Sequence, residues 1–418
     1  MFMKPSILAT AIATCLVAQS ASAASPTNEE MWELIKKQQQ QIEALKNRLN
    51  VTDEKVEVTE QKVEATGEML EERSGSASSS WVERTRIGGY GELKYHNWSN
   101  QKEGGSDKKD MDSHRFVLFF SHQFNDRIRF FSEFELEHGL SKDTDDGSGP
   151  GEVELEQMYV DFDLNENHTA RAGVFLMPIG FLNETHEPNT FYGVDRSPVE
   201  KNIIPTTWWE GGAGAHGELM PGLNYDVSLT SGLKVPTSGS NAFLIRKGRQ
   251  KVAKATAEAP AFTGALSWTG IAGLELGGAI QYQSDLTQSA NDNEVSALLL
   301  EAHASWQSGP FGLKALYARW DLDSDDAKAI GRDEQMGWYI EPSYKISVGE
   351  HNLGFFARYA LWDNEAGNSA STEYKQVNVG VNYWPHEDVV LKFDYQNQSS
   401  PDGKNEYDGF NLGFGYQF

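Results

Sequence analysis

The chain has 418 residues, with 61 Asp and Glu against 36 Lys and Arg, a formal charge of −25 and a mean hydropathy of −0.53. A balance this acidic argues against a nucleic-acid partner. No apolar run approaches the roughly 20 residues a membrane helix needs, and a single cysteine, Cys15, leaves no intrachain disulfide to form.

Lys4 precedes an apolar stretch from Ile7 to Ala18, and Ala21, Ser22 and Ala23 supply the small residues of a cleavage site. Residues 1–23 therefore read as a signal peptide for export. Cys15 lies inside it, so the exported protein has no thiolate for catalysis or metal binding. In residues 24–73, Ile35, Ile42, Leu49, Val56, Val63 and Leu70 recur every seventh residue. The intervening seam positions, Gln38, Leu45, Thr52, Thr59 and Thr66, are mostly polar. The heptad predicts a weak coiled-coil extension, with a solvated single helix as the alternative. The Ser/Gly-rich residues 74–83 predict a flexible linker.

From residue 84 to 418 the helical period gives way to a period of two, the strand period. Apolar residues alternate in segments such as Leu353/Phe355/Ala357/Tyr359/Leu361 and Val389/Leu391/Phe393/Tyr395, about sixteen segments in all. Tight connections (124–127, 220–222, 307–312, 384–388) fall between long polar ones (99–111, 138–151, 177–210, 234–260, 284–293, 322–333, 363–372, 397–406). Strict alternation of short and long turns fits an all-β transmembrane barrel of about 16 antiparallel strands, with apolar residues toward lipid and polar ones toward a wet lumen. Tyr95, Trp98, Trp268, Trp306, Trp320, Trp338, Trp384 and Tyr407 lie near strand ends and are expected to form interfacial girdles.

Two segments carry glutamate at every second position: Glu133, Glu135 and Glu137, then Glu152, Glu154 and Glu156. On neighbouring antiparallel strands these form an acidic wall in which like charges lie opposite, an unfavourable arrangement that asks for compensating cations. The apolar register slips after Gln157, which predicts a bulge. Across the barrel, Arg319, Lys345, Arg358 and Lys392 are read as inward bases, so that a transverse field orients passing solutes; scattered charge is the plainer reading. The longest connection, 177–210, is too rich in Ile, Phe and Trp for a solvated loop. Folded into the lumen, it would narrow the pore with Glu184, His186, Glu187, Asp195, Arg196, Glu200 and Lys201; the alternative is an outer lid. Glu184, His186 and Glu187 form only a weak metal set, and neither a metal nor a cofactor is expected. The loop 234–260 concentrates Lys234, Arg246, Lys247, Arg249, Lys251 and Lys254 against Glu258. It would gather anionic solutes or, more blandly, bridge lipopolysaccharide.

The stretches "IGGYGELKY", "EVELEQMYVDFDL" leading to "RAGVFLMPIGF", "WWEGGAGAHGEL" and the terminal "GFGYQF" together resemble the phosphate-selective porin family of the O and P type, over residues 84–418. The resemblance implies a bacterial outer-membrane location, a homotrimer of sixteen-stranded barrels, an inward-folded third loop and an N-terminal extension. It also implies arginines and lysines along the pore, for which Arg115, Arg127, Arg129 and Arg171 are candidates beside the six glutamates. The expected function is a passive porin for small polar or charged solutes, anions such as phosphate among the candidates, with lipid and lipopolysaccharide as surroundings. The alternatives are a structural or adhesive barrel tethered through its coiled coil and, less favoured, a barrel enzyme; no segment argues for catalysis.

Overall fold

In a computed structural model the described residues are 79–141, 151–289 and 294–418. The expected signal peptide, the heptad extension and the first part of the linker lie outside them. A short helix, Ser79–Arg84, stands where the linker was expected to end, and runs into the first strand.

Sixteen strands follow: β1 (Thr85–Asn100), β2 (Lys108–Asn125), β3 (Ile128–Glu137), β4 (Val153–Asp163), β5 (His168–Leu176), β6 (Trp209–Met220), β7 (Leu223–Thr230) and β8 (Ala261–Ile271). The second half comprises β9 (Leu274–Gln283), β10 (Ser296–Ser308), β11 (Phe311–Asp323), β12 (Glu334–Val348), β13 (His351–Asp363), β14 (Tyr374–His386), β15 (Val389–Ser399) and β16 (Tyr407–Gln417). Each pairs antiparallel with the next, and β16 pairs with β1, so the sheet is a closed barrel. The final residue completes the seam: Phe418 exchanges backbone hydrogen bonds with Gly89 at 2.9 and 3.0 Å. Closure gives every strand two neighbours and leaves the sheet no terminal edge strand, which is what a spanning sheet needs where no water can satisfy it.

Short turns such as 126–127, 221–222 and 387–388 close one end. Eight longer connections join the strands at the other: L1 (101–107), L2 (138–152, described at 138–141 and 151–152), L3 (177–208), L4 (231–260), L5 (284–295, described at 284–289 and 294–295), L6 (324–333), L7 (364–373) and L8 (400–406). The alternation read from the sequence is therefore the alternation of the fold. On β15, Leu391, Phe393 and Tyr395 are 43–50% exposed while Val390, Lys392 and Asp394 are at most 5% exposed. The outer face is apolar and the charges point in, as lipid outside and water inside require.

The aromatic expectation divides in two. Tyr95, Trp268, Trp306 and Trp338 sit on the outward parity of their strands, whereas Trp98, Trp320, Trp384 and Tyr407 turn inward. Each inward tryptophan has a partner inside: Trp98 donates to Asn411 at 2.6 Å, Trp320 donates to the Ile203 carbonyl at 3.0 Å, and Trp384 packs edge-on against Tyr192. They anchor loops and walls and form no girdle.

The bulge is real and lies one residue earlier than expected. Pairing passes from Glu133↔Gln157 to Phe134↔Leu155, so Glu156 is the extra residue on β4. Further out, β4 loses its second neighbour, because it pairs with β5 only over Met158–Asp163. L4 covers that stretch: Val252 packs on Val174, Leu176 and Trp209, and Lys251 reaches Glu152 and Glu154.

The main apolar core lies inside the barrel. L3 contributes Met177, Ile179, Val199, Ile203, Ile204 and Trp208, and L4 contributes Leu233, Val235, Phe243 and Ile245. They pack on Leu299 of β10, Leu316 and Trp320 of β11, Tyr339 of β12 and Trp362 of β13. Burying loop side chains at about 1.5–3 kcal/mol each is ample to hold both loops in the lumen.

Candidate functional site

L3 crosses the lumen and is tied at its neck, its middle and its far side. At the neck, the Asn183 amide donates to the carbonyls of Met177 and Trp208 at 2.7 and 2.8 Å and accepts from the Trp208 N–H at 2.7 Å. In the middle, the buried Glu200 carboxylate accepts from Tyr339 at 2.6 Å and from the Leu182 N–H at 2.7 Å. On the far side, Arg358 donates to the carbonyls of Tyr192 and Asp195 at 2.6 and 3.1 Å, and Asp394 accepts from the Val194 N–H at 2.7 Å. The inward fold expected of this loop is thus the observed one, and a lid is excluded.

Asp195 projects from L3 toward β1, where it accepts from Lys94 at 3.2 Å and lies 3.0 Å from the His96 ring. Burial opposes its charge, yet Lys94 and His96 hold its carboxyl well below the usual carboxylate range. Arg196 lies beside it, with two guanidinium nitrogens that have no hydrogen-bond partner. Lys201 is exposed on the same loop.

The six glutamates fall into two groups. Glu133, Glu135 and Glu156 are 1–2% exposed and lie beneath L3. Glu137, Glu152 and Glu154 line an outer cavity of about 470 Å³ between L3, L4 and the walls of β1, β2 and β4. Like charges do lie opposite, since Glu135 pairs with Glu154. Their compensation comes from Arg115, 3.8 Å from Glu135 and 3.1 Å from Glu92, and from Lys251, which contacts both Glu152 and Glu154.

Two expected pore bases are elsewhere. Arg127 sits in the turn 126–127 and donates to the carbonyls of Asp163 and Leu164, because the turn takes it off the strand face. Arg319 has the outward parity of Tyr317 on β11 and pairs with Asp321 and Glu334 at 2.6 and 2.9 Å. Lys314, on the parity opposite to the exposed Phe311 and Leu313, is the inward cation of that strand and stands over Phe181 at 5.1 Å. Arg358 and Lys392 do point inward but are enclosed, Arg358 against Glu341 at 2.6 Å and Lys392 over Phe191 at 3.5 Å. Lys345 lies toward the short-turn end over Trp384 at 4.3 Å. The basic wall expected across the barrel is therefore replaced by an apolar core, and the bases that face the acids come from loops.

L4 supplies them. Arg246 donates to the carbonyls of Lys201 and Thr206 at 2.7 and 2.8 Å, and Arg249 donates to Thr207. Together with Lys251 they point into the pore mouth, so for these three the lipopolysaccharide reading is set aside. The outer cavity collects Lys94, Lys108, Arg115, Arg196, Lys201, Arg246, Arg249 and Lys251 against Asp112, Glu137, Glu152, Glu154 and Asp195. The β1 residues Glu92, Lys94 and His96 were missed, although their alternation with outward Leu93 and Tyr95 carried the signal.

Beyond L3, toward the short turns, a second cavity of about 400 Å³ is lined by Arg171, Glu184, His216, Tyr225, Asp226 and Glu275 among others. Arg171 is bound to Asp161 at 2.8 Å and stacks over Tyr159 at 4.0 Å; Arg129 pairs with Asp163 at 2.7 Å. Glu184 and Glu187 do not join His186. That ring is buried between Glu133 and Glu156, at 3.4 and 3.5 Å. Burial opposes charge on the imidazole, but the two carboxylates raise its pKa to about 9.

A closed sixteen-stranded barrel, apolar outside and charged within, and narrowed by an infolded third loop, is a channel-forming porin of the bacterial outer membrane. The chain belongs to the family of phosphate-selective porins O and P, whose family model matches residues 85–418. An uncharacterized protein of Aquifex aeolicus (strain VF5) is 30% identical over 352 residues, 76% of this chain and 77% of that one. Among solved structures, the anion-selective porin of Comamonas acidovorans superposes with a TM-score of 0.56 at 12% identity, covering 80% of this chain and 99% of that chain. The outer-membrane channel DcaP of Acinetobacter baumannii gives 0.51 at 14% identity, covering 80% and 97%. Salmonella typhi OmpF gives 0.52 at 13%, with the same coverage. These likenesses concern the fold. The function that family and fold establish is passive diffusion of solutes through an outer-membrane channel.

Proposed function

We propose that this porin passes small hydrophilic anions, phosphate-sized oxyanions among them, along the polar half of its lumen. The observation that carries the reading is the outer cavity, where eight lysines and arginines meet five carboxylates in a chain whose formal charge is −25. In a narrow, low-dielectric mouth such an excess focuses the field and raises the local concentration of counter-ions. Glu133, Glu135 and Glu156 lie under L3 and serve the loop rather than the solute. Glu137, Glu152 and Glu154 face the cavity, with the last two held by Lys251, so the acidic wall is largely neutralised where solutes enter. Arg196, Lys201, Arg246 and Arg249 form the constriction's basic side, and Arg171 with Arg129 continues it beyond L3. That the Comamonas porin is anion-selective agrees with this reading.

The assembly fitting this reading is a homotrimer. Support comes from an apolar groove on the outer face of β13–β16, β1 and β2, lined by Leu93, Tyr95, Leu353, Leu391 and Phe414 among others, which a second barrel would cover.

The test is the reversal potential of the reconstituted channel under a potassium chloride gradient. Preference for chloride is expected, with a shift toward potassium in Lys201→Gln/Arg249→Gln. Both should weaken as salt shortens the screening length to about 3 Å at 1 M. Cation preference in the unaltered protein would refute the reading.

A further inference from the structure

Beneath L3 the fold buries three metal-ligating groups whose donor atoms face one another. His186 comes from L3, Glu133 from β3 and Glu156 from the β4 bulge, with side chains 3%, 1% and 1% exposed. The bulge is what brings them together. It turns both Glu156 and Gln157 inward, where a regular strand would present only one of the two. Gln157 then donates to Glu133 Oε2 at 2.6 Å, leaving Oε1 turned to the cluster. His186 Nδ1 donates to the Asn183 carbonyl at 3.0 Å, which fixes the ring and aims Nε2 at the two carboxylates. Asn183 is itself locked into the neck of L3.

The donor atoms are left unsatisfied. Glu133 Oε1, both oxygens of Glu156 and His186 Nε2 have no hydrogen-bond partner. Nε2 stands 3.4 Å from Glu133 Oε1 and 3.5 Å from Glu156 Oε2. A charge-assisted N–H···O bond closes to about 2.7–2.9 Å, so the spacing is too wide for direct bonds. Two ligands held about 2.0–2.2 Å from a tetrahedral zinc stand roughly 3.3–3.6 Å apart, which is the spacing found. All three donor atoms lie within 4.8 Å of one another. Around them, the Asn183 carbonyl behind the imidazole and the Gln157 amide behind the carboxylate are the outer-shell partners metal ligands ordinarily have. A third carboxylate, Glu135, is buried alongside with no hydrogen bond to Oε2, and the cation 3.8 Å from that atom, Arg115, is shared with Glu92. So much buried negative charge calls for a cation.

We infer that Glu133, Glu156 and His186 form a site for a borderline first-row divalent cation, zinc foremost, which ties the constriction loop to the barrel wall. An imidazole nitrogen with two carboxylates suits zinc and its neighbours and disfavours magnesium and calcium, which take oxygen alone. The competing occupant is a proton on Nε2, which neutralises one carboxylate and bridges neither at good distance.

The test uses the full chain, folded in detergent, stripped with a chelator and titrated with cobalt(II) as a spectroscopic stand-in and with zinc(II) in competition. One equivalent per chain is expected, with the ligand-field absorption of a low-coordinate nitrogen–oxygen site that zinc abolishes. His186→Gln and Glu156→Gln should each weaken binding by more than the about tenfold to hundredfold that losing an outer-shell partner costs. Asp112→Asn, beside His114 and His138, and Glu152→Gln, beside Glu137 and Glu154, alter the two other clusters of ligating side chains among the described residues and should leave the affinity unchanged. Heat-modifiable mobility on gels checks that each variant is folded. The titration of the unaltered protein decides even if a variant fails to fold: absence of tight binding means that the proton is the occupant and overturns the inference. Binding that survives His186→Gln but is lost with Asp112→Asn or Glu152→Gln overturns it equally.

Discussion

The two halves of this lumen are built from the same kind of strand yet solve opposite problems. Beside β9–β13 the inward positions include Leu299, Leu316, Trp320, Tyr339 and Trp362, and loop side chains pack onto them; the polar groups among them, such as Tyr339 with Glu200 and Arg358 with Glu341, are paired within the fold. Beside β1–β5 the inward positions are Tyr90, Glu92, Lys94, Arg115, Glu135, Asp161 and Arg171, and almost every one is held by an opposite charge or a ring. The first half fixes where L3 and L4 sit. The second half is what a solute meets. A barrel of this width can thus be narrowed without a rigid wall, because one side works as a domain core and supports the loops that shape the other.

The strongest way to break this division is to remove what joins the halves. Shortening L3 between Asn183 and Ile203 deletes loop residues from the core and the constriction together. A several-fold rise in single-channel conductance is expected, read in planar bilayers, with loss of ion preference. Unchanged conductance would mean that the narrowest section lies elsewhere.

Trp320→Ala attacks the filled half alone. Removing a fully buried tryptophan costs about 3–5 kcal/mol, and it also frees the Ile203 carbonyl. Earlier proteolysis within L3 and a noisier open channel are expected, while the reversal potential stays the same. A shift in ion preference as large as that of the basic variants would join the two halves and break the comparison.

How far the sequence reveals this division depends on what imposes each pattern. Lipid acts on every outward side chain, so the period of two in segments such as Val389–Tyr395 is legible, and with it the strand number, the turns and the barrel. The bulge near Gln157 is legible for the same reason, as a slip in that period. Inside, no solvent imposes a pattern. Trp320 and Trp384 resemble girdle residues in sequence because a tryptophan near a strand end looks alike whether it meets headgroups or a loop backbone. Arg319 reads as an inward base in the sequence, yet it has the outward parity of its strand, where Asp321 and Glu334 satisfy it at the loop end of the barrel. The cations of the constriction were visible as a basic run in 234–260. What sent them inward, the apolar residues Leu233, Val235, Phe243 and Ile245 between them, acts across more than fifty residues of chain, on β10–β13, and leaves no local signature.

Lys251→Gln sharpens the polar half with a smaller effect. Lys251 is partly exposed, so the pair energy it contributes is about 1 kcal/mol or less, and folding should be nearly unchanged. Freed of it, Glu152 and Glu154 regain their field at the mouth, and a modest shift of reversal potential toward cations is expected at low salt only.

Asp195 gives the smallest effect and a definite sign. Its folded pKa is depressed, so its contribution to anchoring L3 is complete above the ordinary carboxylate pKa of about 3.9 and is lost only as pH falls through the lower folded value. The difference in unfolding midpoint between the unaltered protein and Asp195→Asn should be fully present near pH 5 and shrink as pH falls below about 4.

The division itself is tested most directly by which half lets a reagent in. Cys15 is the chain's only cysteine, so a Cys15→Ser background accepts single reporters, Lys201→Cys in the polar half and Ala318→Cys, fully buried on β11, in the filled half. A small charged methanethiosulfonate added during bilayer recording should reduce the current through the Lys201 variant within minutes and leave the Ala318 variant untouched. Equal block of both would show that solutes pass on either side, and that the filled half is not filled.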